Sequence, residues 1–295
     1  METNQVKHRI YSAYQKNQIL RESLNELVQQ VFKIDFEAWY QNGYWTNKYI
    51  PYSIVKDNRV LSNVSVNVMN FNVFGIEKTF IQIGTVATEK TNRGKGYSRY
   101  LMEHVINEWR PKSDLLFLFA NDEVLNFYPK FGFKRFDEHR YSSVVQNVTD
   151  TIAADKIDMT NKANIDFVFS MVNNSITMSA VDMRNNAELV IFHCMSHMKN
   201  NVYFIRELNV LVIAKLKSDT IILNAVYSPN NIPFTEIIKA LSTKDTKRVI
   251  FGFTPKETSG LDMSLHKEED TTLFMLSESQ QFDENKFMFP IICHA

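Results

Sequence analysis

Residues 86–98 read Val-Ala-Thr-Glu-Lys-Thr-Asn-Arg-Gly-Lys-Gly-Tyr-Ser, a run suited to a strand end, a short loop with glycines at alternate positions and the start of a helix. Such a loop turns backbone N–H groups inward onto a phosphate, and the helix N-terminus behind it adds partial positive charge. Gly94 and Gly96 lack the Cβ that would block close approach and bar the backbone angles required. Arg93 and Lys95 bring mobile positive charge to the mouth. The chemistry these residues suit is the holding of a pyrophosphate. A Walker A loop is excluded, because no Gly-x-x-x-x-Gly-Lys-Ser/Thr run occurs, and two glycines do not meet the three-glycine dinucleotide fingerprint.

A second group follows one strand later. Leu115-Leu116-Phe117-Leu118-Phe119-Ala120 is a short apolar run fit for a buried strand. Asn121 comes next, then Val124, then Tyr128, and Phe131-Gly132-Phe133 closes the segment. Taken together, Arg93-Gly94-Lys95-Gly96 and this Asn-x-x-Val-x-x-x-Tyr run with its Gly-Phe resemble the GCN5-related N-acetyltransferases. That family's acetyl-CoA loop reads Arg/Gln-x-x-Gly-x-Gly/Ala, often condensed to Arg-Gly-x-Gly, and its second motif is Asn-x-x-Ala-x-x-x-Tyr. Val124 stands where the family has Ala. The resemblance covers roughly residues 20–145.

The resemblance implies an enzyme that moves an acetyl group from acetyl-CoA to a primary amine of a small molecule or peptide. On the coenzyme side it implies Arg93, Gly94, Lys95, Gly96, Tyr97 and Ser98 around the pyrophosphate, with Val86, Ala87 and Thr88 beside the pantetheine arm. Asn121 joins them through the second motif. The N–H of Val86 or a neighbour would polarise the thioester carbonyl. Tyr128 is the candidate acid toward the departing thiolate, since a phenol with an ordinary pKa of about 10 keeps its proton at neutral pH. Its other reading is a core tyrosine whose hydroxyl is satisfied by backbone. No general base is apparent: Gln82 cannot act as one, and Glu77, Glu89, Asp122 and Glu123 lie off the central strand's middle. The proton then leaves through water or to a carboxylate from elsewhere. The missing strand carboxylate also supports an alternative, an acyl-CoA-binding sensor or scaffold without turnover.

The elements expected to position these groups form an α+β fold, a mixed, mostly antiparallel sheet flanked by helices, as in the acyl-CoA N-acyltransferase fold. Residues 53–60 hold a polar turn at Asp57-Asn58, and 64–68 alternate apolar and polar as a half-buried strand does. Gly84, inside the strand at 80–86, suggests a bulge or close backbone approach. In the family this strand bulges and splays from its neighbour. The following helix puts Tyr97, Leu101, Val105 and Trp109 on one face and ends at Pro111. The order is strands, helix, strand, helix. Upstream, Phe32, Phe36, Trp39 and Tyr40 have the spacing of a buried helix face, whereas Tyr44, Trp45, Tyr49 and Tyr52 are candidates for an acceptor pocket, with Asp35 and Glu37 nearby to hold an ammonium.

The 295 residues carry equal numbers of basic and acidic side chains, 33 of each, which argues against nucleic acid as the main partner. No apolar run is long enough to span a bilayer and the N-terminus does not read as a signal, so a cytoplasmic protein without a membrane partner is expected. A homo-oligomer is left open. Two cysteines give no disulfide framework. His193, Cys194 and His197, with Cys293 and His294, invite a zinc reading, but they lack a Cys-x-x-Cys and read as ordinary helix residues, so no metal is expected.

Residues 150–164 turn polar, as a linker does. Helices are then expected at 165–172 and 187–198, strands at 202–208, 210–217 and 220–227, a helix at 234–241, and strands at 249–253 and 271–276. This order repeats the first half and divides the chain into an acetyltransferase domain, 1–148, and a similar but degenerate unit, 149–295. Where a second cradle would lie, Ser228-Pro229-Asn230-Asn231-Ile232-Pro233 has no glycine, no basic residue and two prolines, which lack the N–H that phosphate binding needs. A tandem of this kind resembles the enhanced-intracellular-survival type of N-acetyltransferase without its third domain. In that type the terminal carboxylate serves as base, which makes the α-carboxylate of Ala295 a candidate. The other reading of Pro290-Ile291-Ile292-Cys293-His294-Ala295 is a strand completing the second sheet.

Overall fold

In the computed structural model, which describes residues 8–145, 153–276 and 285–294, strand β1 (Ile10–Ser12) leads into helix α1 (Gln18–Phe32). Asn17 caps α1 by accepting a hydrogen bond from the Leu20 N–H, and Leu20, Leu24, Leu27 and Val28 bury one face. Lys33 turns left-handed and ends the helix, so the aromatics at 32–40 do not share one helix face: Phe36 and Trp39 reach the core from the start of the short α2 (Glu37–Gln41).

Two tight hairpins then build the first sheet. Asp57 and Asn58, with φ of 51° and 60°, join β2 (Tyr49–Lys56) to β3 (Arg59–Val73). Phe74 and Gly75, both also at positive φ, join β3 to β4 (Ile76–Thr88). Two-residue turns of this hand match the twist of the strands they connect. Helix α3 (Tyr97–Trp109) crosses over to β5 (Leu115–Ala120), which lies parallel to β4. The α-helix expected after β5 does not form. Asp122–Val124 and Tyr128–Phe131 are single 3-10 turns, because Pro129 has no N–H to bond back to the first turn and Gly132, at φ 88°, ends the second.

The remaining elements are β6 (Lys134–Arg135), β7 (His139–Val144), β8 (Asp155–Lys156), α4 (Lys162–Asn173), β9 (Val181–Arg184), α5 (Ala187–Met195), β10 (Val202–Ile205), β11 (Val210–Leu216), β12 (Thr220–Tyr227), α6 (Phe234–Leu241), β13 (Arg248–Phe251), β14 (Asp262–Leu265) and β15 (Thr272–Leu276). The polar stretch expected as a linker thus contains β8, a two-residue edge strand held by backbone bonds to β10 alone, which polar side chains do not oppose.

The first sheet runs β1-β2-β3-β4-β5-β15-β6, with β9 on the end of β3; the second runs β14-β7-β13-β12-β11-β10-β8. The second sheet repeats the first. Strand β12 is antiparallel to β11, parallel to β13, and connected to β13 through a helix, as β4 stands to β3 and β5. The two units also exchange strands. β15, from late in the chain, pairs with β5, and β7, from the first half, takes the same place beside β13. A segment at 287–293 runs between the sheets, with Phe289 stacked on Phe117 at 4.5 Å and the Ile291 N–H donating to the Gly252 carbonyl at 2.8 Å. One apolar core spans both units, drawing Phe71, Phe80 and Phe117 from the first sheet, Ile213 and Tyr227 from the second, and Phe287 and Phe289 from this strap.

Candidate functional site: a cleft between two parallel strands

Strands β4 and β5 pair from Phe80↔Leu115 to Gln82↔Phe117 and then part, although β4 continues to Thr88 and β5 to Ala120. Past Gln82 the β4 backbone therefore faces an opening. At the same place β4 bulges: Ser65 pairs with Gly84 and Asn63 with Ala87, so two residues on β3 span three on β4. The bulge falls beside Gly84, where it was expected, but the residue that takes the unusual conformation is Thr85, at φ 49°. A β-branched residue there is a genuine outlier and costs on the order of 1–3 kcal/mol.

Polar side chains unusual for a buried strand surround the bulge. The Asn63 Nδ2 donates to the Thr85 carbonyl at 2.9 Å and to Ser65 Oγ at 2.8 Å. Ser65 Oγ donates to the Tyr49 hydroxyl at 2.8 Å, and that hydroxyl shares a hydrogen bond with Thr85 Oγ1 at 2.9 Å. Burial pushes the Tyr49 phenol up to about 12. Two pairs beyond Ser65 and Gly84, Asn67 faces Gln82, and the Asn67 Nδ2 and Gln82 Oε1 are buried without a partner among the described residues.

The glycine loop lies directly past the end of β4. A 3-10 turn, Lys90–Asn92, leads to Arg93, then Gly94 at φ 78° and Gly96 at φ 82°. A Cβ at either glycine would meet nothing within 4 Å, so the left-handed angle, not crowding within the protein, is what requires glycine here. No side chain among the described residues caps α3, which leaves the N–H groups of its first turn open to an anion. Ser98 Oγ is tied to Thr88 Oγ1 at 2.6 Å, and Thr88 Oγ1 to Ser62 Oγ at 2.7 Å, so the strand end and the helix start are fixed to each other. Arg93 and Lys95 are exposed at the rim; the Arg93 Nε donates to the Thr88 carbonyl at 3.4 Å and the Lys95 Nζ to Asn92 Oδ1 at 2.6 Å.

Val86 and Thr88 are partly exposed along the opening, and Ala87 is buried. Across from them, Asn121 extends from the end of β5 with its Nδ2 donating to Asp270 Oδ2 at 2.8 Å, a partner supplied by the second half. Tyr128 is buried among Leu118, Ala120, Phe133 and Phe274. Its hydroxyl has no hydrogen-bond partner among the described residues, and burial pushes the phenol up to about 12. The loop is thus fixed to the end of β4, while Asn121 and Tyr128 follow the end of β5, the strand that parts from it.

The carboxylates weighed as bases are engaged or distant from the bulge. Glu77 accepts from Asn72 at the hairpin tip, and Glu89 is paired with Arg59 and accepts from Asn92. The upstream aromatics are core: Tyr44, Trp45, Tyr49 and Tyr52 are all buried, and Trp39 packs on Phe192 of α5 at 5.6 Å between ring centroids. Glu37 is held by Arg21 at 2.9 Å, whose hydrogen bond draws the carboxyl below its usual range. His193 and Cys194 are buried in α5, and among the described residues no three His, Cys, Asp or Glu side chains converge as a metal would require. His294, considered in the sequence only as a metal ligand, lies against Phe119 of β5 with ring centroids 3.6 Å apart. Ala295 lies outside the described residues.

The equivalent opening of the second sheet is filled. Strands β12 and β13 also part after Leu223↔Phe251, and β12 also bulges, at Asn224. Here the strap at 287–293 lies across the gap, leaving a cavity of about 20 Å³ lined by Asp182, Asn224, Tyr227 and Ile292, room for about one water.

Sequence reasoning missed Asn63, Tyr49 as a bulge contact, and Asp270. A signal for the first was present: Ser62, Asn63, Ser65 and Asn67 put polar groups on both faces of a strand that is buried on both.

Residues 14–136 match the family model described as an acetyltransferase (GNAT) domain. Three solved structures share the fold over most of the chain. A probable N-acyltransferase from Enterococcus faecalis aligns with a TM-score of 0.61 at 15% identity, over 95% of this chain and 74% of that one. A GCN5-related N-acetyltransferase from Kribbella flavida gives 0.53 at 12% identity, over 92% and 72%. Eis1 from Mycobacterium abscessus gives 0.53 at 10% identity, over 90% and 72%. No curated protein matches the chain in sequence. The chain thus carries a stretch similar to the GNAT acetyltransferase domain at residues 14–136, and over most of its length it shares the fold of these three structures. No helix among the described residues is long and apolar enough to cross a membrane.

Proposed function

We propose that the chain transfers an acetyl group from acetyl-CoA to a primary amine. One observation carries this reading: the opening between β4 and β5 ends at the uncapped glycine loop, so an extended arm with a diphosphate at its end fits both at once. The loop N–H groups of residues 93–98 hold the diphosphate, and the free β4 backbone at Val86, Ala87 and Thr88 pairs with the pantetheine amides. Asn121, oriented by Asp270, borders the arm on the β5 side.

In the transfer, the amine nitrogen forms a bond to the thioester carbon and the carbonyl electrons move onto oxygen, which a β4 N–H stabilises. The C–S bond then breaks with its electrons on sulfur. Tyr128 keeps its proton at neutral pH and gives it to that sulfur, the amine's proton passes to water, and water returns a proton to the Tyr128 phenolate. The second unit, with its opening filled and no glycine loop, binds no coenzyme and serves to complete the first sheet through β15. A second reading, binding without turnover, is favoured by Gln82 standing where a carboxylate would otherwise act.

Calorimetry with CoA and acetyl-CoA tests the assignment. Wild-type protein is expected to bind both. The Gly94→Val/Gly96→Val variant is expected to lose binding by on the order of a hundredfold or more, because valine disfavours the left-handed angles and its side chain enters the phosphate's place. Nothing else packs at either position, so the loss of stability should be confined to the strain of the two left-handed angles, about 1–2 kcal/mol each. Absence of heat with wild-type protein would falsify the assignment. Release of CoA from acetyl-CoA with a panel of primary amines separates the enzyme from the binding-only reading.

A further inference from the structure

The molecule contains its own control for the strain at Thr85. Both sheets carry a bulge on the matching strand just past the point where the parallel pair parts, at Thr85–Val86 after Gln82 and at Asn224 after Leu223, yet no residue of β12 takes a positive φ. A bulge here does not by itself require a left-handed residue. Thr85 adopts one in the sheet whose opening is free, and not in the sheet whose opening the strap fills.

Two side chains hold it there. Asn63 donates through Nδ2 to the Thr85 carbonyl at 2.9 Å, and the Tyr49 hydroxyl bonds to Thr85 Oγ1 at 2.9 Å. Both holders are themselves fixed. Asn63 accepts from Ser53 Oγ at 2.8 Å, and the Tyr49 ring packs against Phe36 and Trp45 with centroids 5.0 and 5.3 Å away. The Thr85 carbonyl and the Val86 N–H belong to one planar trans peptide and point in opposite directions. Asn63 is on β3, so the bond draws the carbonyl toward the β3 side of β4. The Val86 N–H is thereby turned to the other side, where β5 has already separated.

We propose that Asn63 and Tyr49 are positioning residues that lock Thr85 in its left-handed conformation and so aim the Val86 N–H at the thioester carbonyl. The proposal rests on the acetyl-transfer reading and adds to it a device on the face of the sheet opposite α3. Without the lock, Thr85 relaxes to extended angles and the peptide rotates. The diphosphate cradle is untouched, so the coenzyme still binds while its carbonyl is no longer polarised.

Infrared spectroscopy of acetyl-CoA isotopically labelled at the acetyl carbonyl reads this directly and needs no acceptor. On wild-type protein the bound carbonyl stretch is expected to move to lower frequency than in free acetyl-CoA. Asn63→Ala and Tyr49→Phe should keep acetyl-CoA binding by calorimetry, lose part or all of that shift, and lower kcat toward reactive amines by about tenfold to a hundredfold with little change in KM for acetyl-CoA. Adding Thr85→Gly to Asn63→Ala should restore the shift, since glycine takes the left-handed angle unaided; a variant that had merely lost packing would not recover. Should Asn63→Ala not fold, Tyr49→Phe removes a single hydroxyl and carries the test. An unchanged carbonyl stretch in variants that still bind acetyl-CoA overturns the lock, as does a double variant without recovery. Failure of wild-type protein to bind acetyl-CoA overturns the acetyl-transfer reading itself, and the lock with it.

Discussion

At the scale of single residues the cleft separates two kinds of side chain. Gly94 and Gly96 are required by backbone angle, and that requirement is local enough to be read from the sequence. Tyr128 is picked out by its spacing from Asn121, and its burial sets its protonation: a phenol raised to about 12 keeps its proton through the ordinary working range. Tyr128→Phe is expected to lower kcat by on the order of a hundredfold while leaving acetyl-CoA affinity unchanged, which steady-state kinetics beside calorimetry would show. The same upward shift means that any loss of activity between neutral pH and pH 10 does not come from ionisation of this tyrosine in the free protein. Asn63 escaped notice because it lies just outside the alternating run at 64–68, where a polar residue reads as a strand end facing solvent. Only its burial and its bond to the Thr85 carbonyl give it a role.

Elements behaved differently according to how much of their stabilisation is local. The β5 run and the strand and helix at 220–227 and 234–241 formed where periodicity and turn residues put them. The helix after β5 did not, since Pro129 and Gly132 broke it into single turns. The strap at 287–293 is an element that tertiary contacts alone define. Glu138 anchors it by accepting the Phe289 N–H at 2.8 Å, and burial raises the Glu138 carboxyl from its ordinary 4.5 to about 8. A carboxyl raised on folding binds more protons in the native than in the unfolded state. Its contribution is therefore full below pH 4.5 and declines as pH rises toward 8. Glu138→Gln, which keeps an acceptor oxygen and carries no charge, should flatten that dependence and unfold at higher denaturant than wild type at pH 8. Urea titrations across this range would show it, and identical pH slopes for the two proteins would remove Glu138 from the account.

At the scale of the whole molecule, exchange of β7 and β15 makes each sheet depend on residues from both halves. A chain ending at residue 148 would lack β15, leaving the apolar β5 without a neighbour on one side, and would also lack the strap that covers Phe71, Phe80 and Phe117. Such a fragment is expected to be insoluble or unfolded, and the full chain to melt in one calorimetric transition rather than two. Circular dichroism of the fragment and scanning calorimetry of the intact protein check both; a folded, monomeric fragment would show that the exchanged strand is dispensable.

The sequence alone settled the glycine loop, the spacing of the second motif, the two-residue turn at Asp57 and Asn58, and the repetition of element order across the halves. Each of these is encoded in backbone preferences and side-chain spacing over a few neighbouring residues. Which strand lies beside β5, what fills the second opening, and which side chains hold Thr85 were decided by tertiary structure. Apolar burial has no direction and many strands are apolar, so choosing among partners distant in sequence falls to the packing of the whole chain.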